Sequence, residues 1–190
     1  MPCNKPELNP QQRQQLLTLA KESIAYGLEN GQPLPVTLQD YSEPLQQIAA
    51  TFVTLQLDGQ LRGCIGTLEA QTSLVQDVVQ HAFAAAFQDP RFAPLSEQEF
   101  KQLEIHLSIL TPPEPLAVEN EEDLLAKLRP NIDGLVLEEG YHRATFLPAV
   151  WQQLSEPKAF LQHLKQKAGL PADYWSNALQ FERYQVIMIE

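Results

Sequence analysis

The sequence predicts an α+β protein with antiparallel sheet and flanking helices, folded as one compact unit. Helical and strand patterns mix along the chain without the regular alternation of a doubly wound sheet, and hairpins dominate the strand connections. The 190 residues suffice for one sizeable core or two small subdomains, and are too few for two ordinary independent domains. The hydrophobic share of 44% and charged share of 19% are typical of globular domains.

The first helix is marked at both ends. Asn9 and Pro10 form an N-cap and first-turn pair, and Asn30-Gly31 ends the pattern. Apolar residues recur between them at helical spacing: Leu16, Leu17, Ala20, Ile24 and Leu28. These signals predict an amphipathic helix, preceded by a mobile leader over residues 1–10.

A hairpin follows. Asp58-Gly59 tolerates the positive φ angles of a tight turn and lies between two strand patterns, 51–57 and 60–66. The second strand carries Arg62 and Cys64. Thr72 or Ser73 then caps a helix that Asp89-Pro90 ends.

The rest of the chain continues this mixture. The predicted elements are a capped turn at 96–99, a strand at 103–109, a helix at 119–128, a hairpin of 134–137 and 141–147 turning at Glu139-Gly140, a helix at 155–168 and a closing strand at 181–189.

Composition narrows the functional classes. A formal net charge of -11 repels phosphate backbones and anionic lipid surfaces, so nucleic acid is a disfavoured partner. No apolar run approaches the roughly 18 residues of a membrane span, and the polar residues 1–15 differ from a secretory signal. These features predict a cytoplasmic protein without a membrane partner, in which Cys3 and Cys64 are free thiols.

The segment Leu61-Arg62-Gly63-Cys64-Ile65-Gly66 is the predicted functional site. Glycine weakens a strand unless its missing side chain admits a ligand or a close backbone approach. Gly63 and Gly66 therefore indicate either a small pocket or a structural feature, namely a bulge or tight packing of the next helix.

Period-two geometry places Arg62 and Cys64 on one face of this strand. An arginine there would favour a thiolate, which is a nucleophile or metal ligand, or would hold an anionic substrate. The alternative is that Cys64 is a small buried residue and Arg62 an ion-pair partner. A two-residue turn also puts Val53 and Leu55 on the face of Cys64, which favours burial.

A cysteine nucleophile needs a histidine, and the chain has four: His81, His106, His142 and His163. His81 or His106 is the candidate for the general base that would act on Cys64. No metal-ligand spacing, phosphate loop, dinucleotide fingerprint or nucleophile elbow is present, so no metal is predicted and the cofactor stays open. In Asp89-Pro90-Arg91-Phe92, Pro90 fixes the backbone so that Asp89 or Arg91 could face a groove. A purely structural turn explains the same motif equally well.

The Leu61 to Gly66 motif resembles the hallmark of the AMMECR-type domain, called AmmeMemoRadiSam system protein A in bacteria. The resemblance extends in order and spacing to Asp89-Pro90-Arg91-Phe92 with Pro94-Leu95, to residues 107–115, and to Lys167-Ala168-Gly169-Leu170-Pro171 with Trp175. One departure is Asn131-Ile132-Asp133, where the family pattern has a more basic stretch ending in His.

This resemblance implies one AMMECR-type domain over residues 1–190, built as two tightly associated subdomains with a groove near the cysteine. It also implies partners resembling a dioxygenase-like Memo protein and a radical-SAM protein. It implies no particular reaction.

The leading hypothesis is an accessory protein that binds a small ligand or a partner protein in the groove. Its ligand-binding residues would be Arg62, Gly63, Cys64, Gly66, Asp89 and Arg91. The alternative is an enzyme or redox participant with Cys64 as nucleophile and Arg62 positioning an anion. A third hypothesis is a purely structural scaffold, which predicts that Cys64 is fully buried.

Overall fold

The computed structural model describes residues 7–190. Among them are six α-helices: α1 (Pro10–Asn30), α2 (Glu43–Gln46), α3 (Leu74–Phe87), α4 (Glu97–Phe100), α5 (Glu121–Lys127) and α6 (Pro157–Lys167). The nine strands are β1 (Ile48–Leu57), β2 (Gln60–Gly66), β3 (Thr72–Ser73), β4 (Glu104–Leu110), β5 (Glu114–Pro115), β6 (Gly134–Glu139), β7 (His142–Phe146), β8 (Gln180–Tyr184) and β9 (Val186–Ile189). The predicted α+β class is confirmed.

The chain divides into two compact units with separate cores. Unit 1 comprises Met1–Thr111 with Ile187–Glu190, and unit 2 comprises Pro112–Val186. In unit 1, β2, β1, β4 and β9 lie side by side in that order, with the short β3 paired to β1. In unit 2 the order is β5, β8, β6 and β7. The predicted closing strand is therefore two strands, and each belongs to a different sheet.

Helix α1 forms as its end signals predict. Asn9 and Gln12 complete a capping box, and Gly31 closes the helix with φ 68°. Leu16, Ala20 and Ile24 are fully buried against α3 and the sheet. The predicted mobile leader covers residues 1–10, of which 1–6 lie outside the described residues. Leu8 is buried in the unit 1 core.

The β1–β2 hairpin turns at the predicted dipeptide. Asp58 has φ 51° and Gly59 has φ 71°, as a tight turn with two positive φ angles requires. Side chains of Val53, Leu55 and Leu107 on one face of the sheet are fully buried with those of α1 and α3. We call this the helix face.

Unit 2 has its core between its sheet and α6. Trp151 and Phe160 stack with ring centroids 3.8 Å apart and are both buried. Glu139 pairs with His142, so the β6–β7 turn lies at Gly140-Tyr141, one residue later than predicted. In the 131–133 stretch, which departs from the family pattern, Asp133 is fully buried and ion-paired with Arg129.

None of the helices that the structure describes has the length and apolar character needed to cross a membrane.

Candidate functional site

The strand that carries Cys64 contains a bulge. Leu55 lies opposite Gly63, whereas the next residue, Gln56, lies opposite Leu61, so Arg62 is one extra residue in β2. The bulge breaks the alternation that predicted Arg62 and Cys64 on one face. It also shifts the register by one residue, so Val53 and Leu55 do not share the face of Cys64. The predicted placement of Val53 and Leu55 on the face of Cys64 is therefore wrong. The bulge itself is one of the structural features that the strand glycines predict, but the sequence does not fix its position.

With the shifted register, Cys64 lies in a row that crosses three strands. Thr54 is the Cα partner of Cys64 on β2 and of His106 on β4, and directly opposed residues project from the same side of a sheet. Oγ1 of Thr54 lies 3.2 Å from Sγ of Cys64. We call the side carrying Thr54, Cys64 and His106 the thiol face. It is opposite the helix face, because neighbouring residues alternate.

Cys64 is a free cysteine and is partly buried. Full burial, which the scaffold hypothesis predicts, is therefore not observed. The other predicted free thiol, Cys3, lies outside the described residues.

His106 completes the row. Its side chain is 22% exposed, and its Nδ1 lies 3.8 Å from Oε1 of Glu190, an electrostatic contact longer than a hydrogen bond. Nε2 is buried and has no hydrogen-bond partner anywhere in residues 7–190. A buried polar atom without a partner costs about 1–3 kcal/mol, so this nitrogen requires an explanation.

The glycines around Cys64 are explained by close backbone approaches. A Cβ at Gly63 would collide with the carbonyl oxygen of Ala85 on α3, and one at Gly66 would collide with the Thr51 carbonyl and the Phe52 ring. Tight packing of the helix against the hairpin, one of the predicted structural explanations, accounts for Gly63, and the other, a bulge, is present beside it at Arg62. The space at these two positions is filled by the protein itself.

Asp89 and Arg91 hold the main chain of Cys64. The Cys64 N–H donates to Oδ2 of Asp89 at 2.9 Å, and Nη2 of Arg91 donates to the Cys64 carbonyl at 3.2 Å. Arg91 also donates to Asp89 at 2.7 Å. Because β2 is an edge strand, the two side chains satisfy groups that a further strand would otherwise pair. Their first role is to fix Cys64 in place.

The electrostatics of Asp89 follow from these contacts. Its carboxylate is 2% exposed, and the hydrogen bonds from the Arg91 guanidinium, assisted by the Cys64 N–H, hold its pKa far below the usual range. The charge of Arg91 is therefore offset by Asp89.

Arg62 has its own carboxylate. Nε donates to Glu99 at 2.8 Å and Nη2 donates to the Ala93 carbonyl at 2.8 Å. The hydrogen bond from Arg62 is the main reason that the pKa of Glu99 falls to about 2. The predicted ion-pair role of Arg62 is the one observed, although its Nη1 is buried and lacks a hydrogen-bond partner in the described chain. That guanidinium lies 5.6 Å from the Phe92 ring centroid.

His81 is held on the other side of the sheet. Its Nδ1 lies 3.1 Å from Oδ2 of Asp77, and the same oxygen accepts hydrogen bonds from the N–H and hydroxyl of Thr51. His81 and Asp77 belong to α3, which packs on the helix face. His81 is therefore a wrong guess for the base of Cys64, whereas His106 is on the correct face but separated from Cys64 by Thr54.

No group of three or more His, Cys, Asp or Glu side chains within residues 7–190 is arranged to hold a metal ion. A cavity of about 250 Å³ lies between α1 and β4, lined in part by Leu17, Lys21, Leu103 and Ile105. This is not the groove predicted near Leu61 to Gly66, which stays a prediction.

Sequence reasoning missed Thr54, Asp77 and Glu99. The spacing of Asp77 and His81 by four residues on a helix was a usable signal for their pairing. Thr54 gave no signal because its position beside Cys64 depends on the bulge. The sequence predicts Glu99 as part of the capped turn at 96–99, and its second role with Arg62 depends on tertiary packing.

Comparison with known proteins decides the family, because the AMMECR1 family model matches residues 17–189. The chain belongs to the AMMECR1 family. A relative from Methanothermobacter thermautotrophicus is 36% identical over 159 residues, which cover 83% of this chain and 82% of the relative. Protein MJ0810 of Methanocaldococcus jannaschii is 34% identical over 159 residues, with 82% and 79% covered.

A solved structure shares the AMMECR1 fold found here. The crystal structure of the uncharacterized protein PH0010 from Pyrococcus horikoshii is similar with a TM-score of 0.80 and 29% identity. The match covers 95% of this chain and 92% of that one. The predicted resemblance and fold class are thus both confirmed.

Proposed function

We propose that this AMMECR1-family protein is an accessory protein that binds a small ligand on the thiol face. The observation that carries the proposal is the buried, unpartnered Nε2 of His106. It lies in the same row as the Thr54–Cys64 pair, so a ligand in contact with one can reach the others. The row spans two inter-strand spacings, or roughly 10 Å, the length of a small organic molecule.

The ligand that fits best is a neutral amphipathic molecule with a hydrogen-bond donor. In the tautomer that carries its proton on Nδ1, beside Glu190, Nε2 is an acceptor for a hydroxyl or amide N–H. Leu61 and Met188 provide apolar area on either side, 45% and 50% exposed. Arg62 and Arg91 are neutralised by Glu99 and Asp89, so an anion gains little here. In this proposal Gly63 and Gly66 shape the strand, and Asp89 and Arg91 position Cys64.

Fluorine NMR with fluorinated fragments that carry a phenol or amide donor tests this proposal. Some fragments should bind the wild-type protein and lose affinity about tenfold or more in His106→Ala, since a hydrogen bond and buried area are both lost. Cys64→Ala should weaken the same fragments. His163→Ala is the matched control, because His163 is exposed in unit 2 and should leave binding unchanged.

Fragments whose affinity is the same in wild type, His106→Ala and Cys64→Ala would contradict the proposal. Each variant must first give a wild-type circular dichroism spectrum, so that lost binding is not lost folding.

A second candidate function uses Cys64 as a nucleophile. The contact of 3.2 Å between Thr54 and the Cys64 sulfur favours it, because a hydroxyl donor stabilises a thiolate. His106 would exchange protons with the sulfur only through Thr54 or through a bound molecule, since Thr54 lies between them.

Alkylation separates this candidate from simple binding. In a Cys3→Ser background, iodoacetamide should modify an activated Cys64 faster than it modifies N-acetylcysteine at the same pH. A slower rate, rising only on unfolding, would remove the nucleophile candidate and leave the binding proposal intact.

The family resemblance adds Memo-like and radical-SAM proteins as proposed partners. Exposed Leu61 beside the thiol face is a suitable contact for either one. Co-purification with each partner should be lost in Leu61→Asp and kept in Ile132→Asp, an exposed apolar position in unit 2. If both variants keep co-purification, or both lose it, these partners do not bind through the thiol face.

A further inference from the structure

A second polar cluster lies in unit 2, where β6 turns into β7. Glu139 and His142 are Cα partners across the hairpin, so both side chains project from the same side with Cβ atoms about 5 Å apart. Leu137, two residues before Glu139, belongs to the core that α6 covers. Glu139 and His142 thus lie on the α6 side of the sheet, at its end.

The carboxylate of Glu139 is satisfied on one oxygen only. Oε1 accepts the hydroxyls of Tyr174 at 3.2 Å and Ser176 at 2.9 Å. Oε2 is buried, and no donor in residues 7–190 reaches it. Oε1 therefore has two hydroxyl donors, whereas Oε2 is a strong acceptor that still lacks a donor.

His142 supplies a second acceptor. Its Nδ1 lies 2.8 Å from the Ala168 carbonyl, and because a carbonyl only accepts, Nδ1 carries the proton. In the neutral ring Nε2 is then an acceptor. The nearby lysines of α6 are engaged elsewhere: Lys165 with Glu121 at 2.5 Å, and Lys167 with the Thr145 carbonyl at 2.9 Å.

We propose that Glu139 and His142 form a binding site for a primary ammonium group, either a free amine or a lysine side chain. An ammonium has three donors in a tripod and needs only one carboxylate oxygen and one further acceptor. A guanidinium prefers both carboxylate oxygens, and Oε1 is already occupied. A metal ion needs more ligands than this pair, and the described chain offers no third His, Cys, Asp or Glu in place.

The surroundings favour a cation. Tyr174, half-buried, donates its hydroxyl to Oε1, so the second carboxylate oxygen keeps its negative charge for a cationic donor. The net charge of -11 raises the local concentration of cations around the protein.

The test is NMR titration of the full chain with n-butylammonium, with n-butanol as the neutral probe of similar shape. The amine should give saturable shifts at Glu139, His142 and Tyr174, and the alcohol should not. Glu139→Gln should weaken binding about tenfold or more, because a hydrogen bond to a charged group is lost. Glu138→Gln is the matched control: Glu138 is its neighbour, 50% exposed and paired with Arg143.

A lysine-containing peptide and its acetyl-lysine counterpart distinguish the two sources of ammonium. Binding of both amine and lysine peptide supports a site open to free amines, and binding of the lysine peptide alone supports recognition of a protein. The proposal is overturned if neither saturates, if the acetylated peptide binds equally, or if Glu138→Gln and Glu139→Gln weaken binding alike.

Discussion

The two faces of the unit 1 sheet use their polar residues in opposite ways. On the helix face, Asp77 accepts from Thr51 and lies against His81, so its buried carboxylate is fully engaged. On the thiol face, the imidazole of His106 has a buried nitrogen with no partner in the described residues. The two histidines have similar burial, with 16% and 22% of the side chain exposed, and differ in what surrounds them.

This difference separates structural polar groups from functional ones. A saturated network contributes to stability and fixes α3 against β1, whereas an unsatisfied group costs free energy unless a ligand or water pairs with it. The histidine closest to Cys64 in sequence, His81, is the structural one. Substitutions that lower stability should therefore concentrate on the helix face and the β2 edge. Substitutions that weaken ligand binding should concentrate on the thiol face.

The largest expected effect is from Gly63→Ala. The new Cβ would collide with the Ala85 carbonyl, and a backbone atom cannot move aside as a flexible side chain can. We expect a loss of about 3 kcal/mol in the free energy of unfolding, measured by urea denaturation. Gly59→Ala is the control, since its φ of 71° is strained but no atom lies within 4 Å, and it should cost only about 1–2 kcal/mol. A milder effect at Gly63 than at Gly59 would show that α3 packs less tightly on the hairpin.

The second-largest expected loss of stability is from Asp89→Asn. The change weakens the ion pair with Arg91 and the hydrogen bond from the Cys64 N–H, so we expect a loss of about 2 kcal/mol at neutral pH. Arg91→Gln tests the other half of the pair and should cost less, because Arg91 is 54% exposed.

Asp89→Asn should also change how the stability of the protein depends on pH. Folding lowers the pKa of Asp89 and Glu99, so their contribution to stability is complete above the unfolded pKa near 4 and is lost as pH falls toward the folded values. Wild-type stability should therefore decrease between about pH 4 and pH 2, and less steeply in Asp89→Asn. Parallel curves for the two proteins would mean that Asp89 titrates normally.

Local signals in the sequence were sufficient for most elements of this fold. The capping boxes at Asn9 and Ser96 and the turn at Asp58-Gly59 are encoded by adjacent residues, and each element formed where those residues predict it. The division of the last strand between two sheets could not be predicted, because it depends on which edges the rest of the chain leaves open.

The site was only half predictable for the same reason. The Leu61 to Gly66 motif drew attention to the correct strand, but one extra residue at Arg62 reversed which side chains accompany Cys64. Thr54 and His106 lie on the face of Cys64 in place of Val53 and Leu55. Pairing of Arg62 with Glu99, 37 residues away, is a consequence of tertiary packing that no short pattern reports.

Replacing each histidine by glutamine tests whether the two faces differ in this way. His81→Gln should cost about 1 kcal/mol in unfolding free energy, because its contact with buried Asp77 is lost or lengthened. His106→Gln should be close to neutral, since Nε2 has no partner to lose within the described chain. Thermal and urea unfolding measure both. Equal losses would mean that His106 is as firmly tied as His81, which would weaken the functional assignment of the thiol face.

The smallest expected effect concerns the contact of Thr54 with the Cys64 sulfur. Thr54→Val keeps the shape of the side chain and removes the hydroxyl 3.2 Å from Sγ. If that hydroxyl donates to the thiolate, iodoacetamide alkylation in the Cys3→Ser background should slow by about threefold, the equivalent of one weak hydrogen bond. Thr18→Val, at an exposed position on α1, should leave the rate unchanged. A faster rate in Thr54→Val would mean instead that the hydroxyl shields the sulfur, and the thiol face would then act through His106 and its apolar flanks alone.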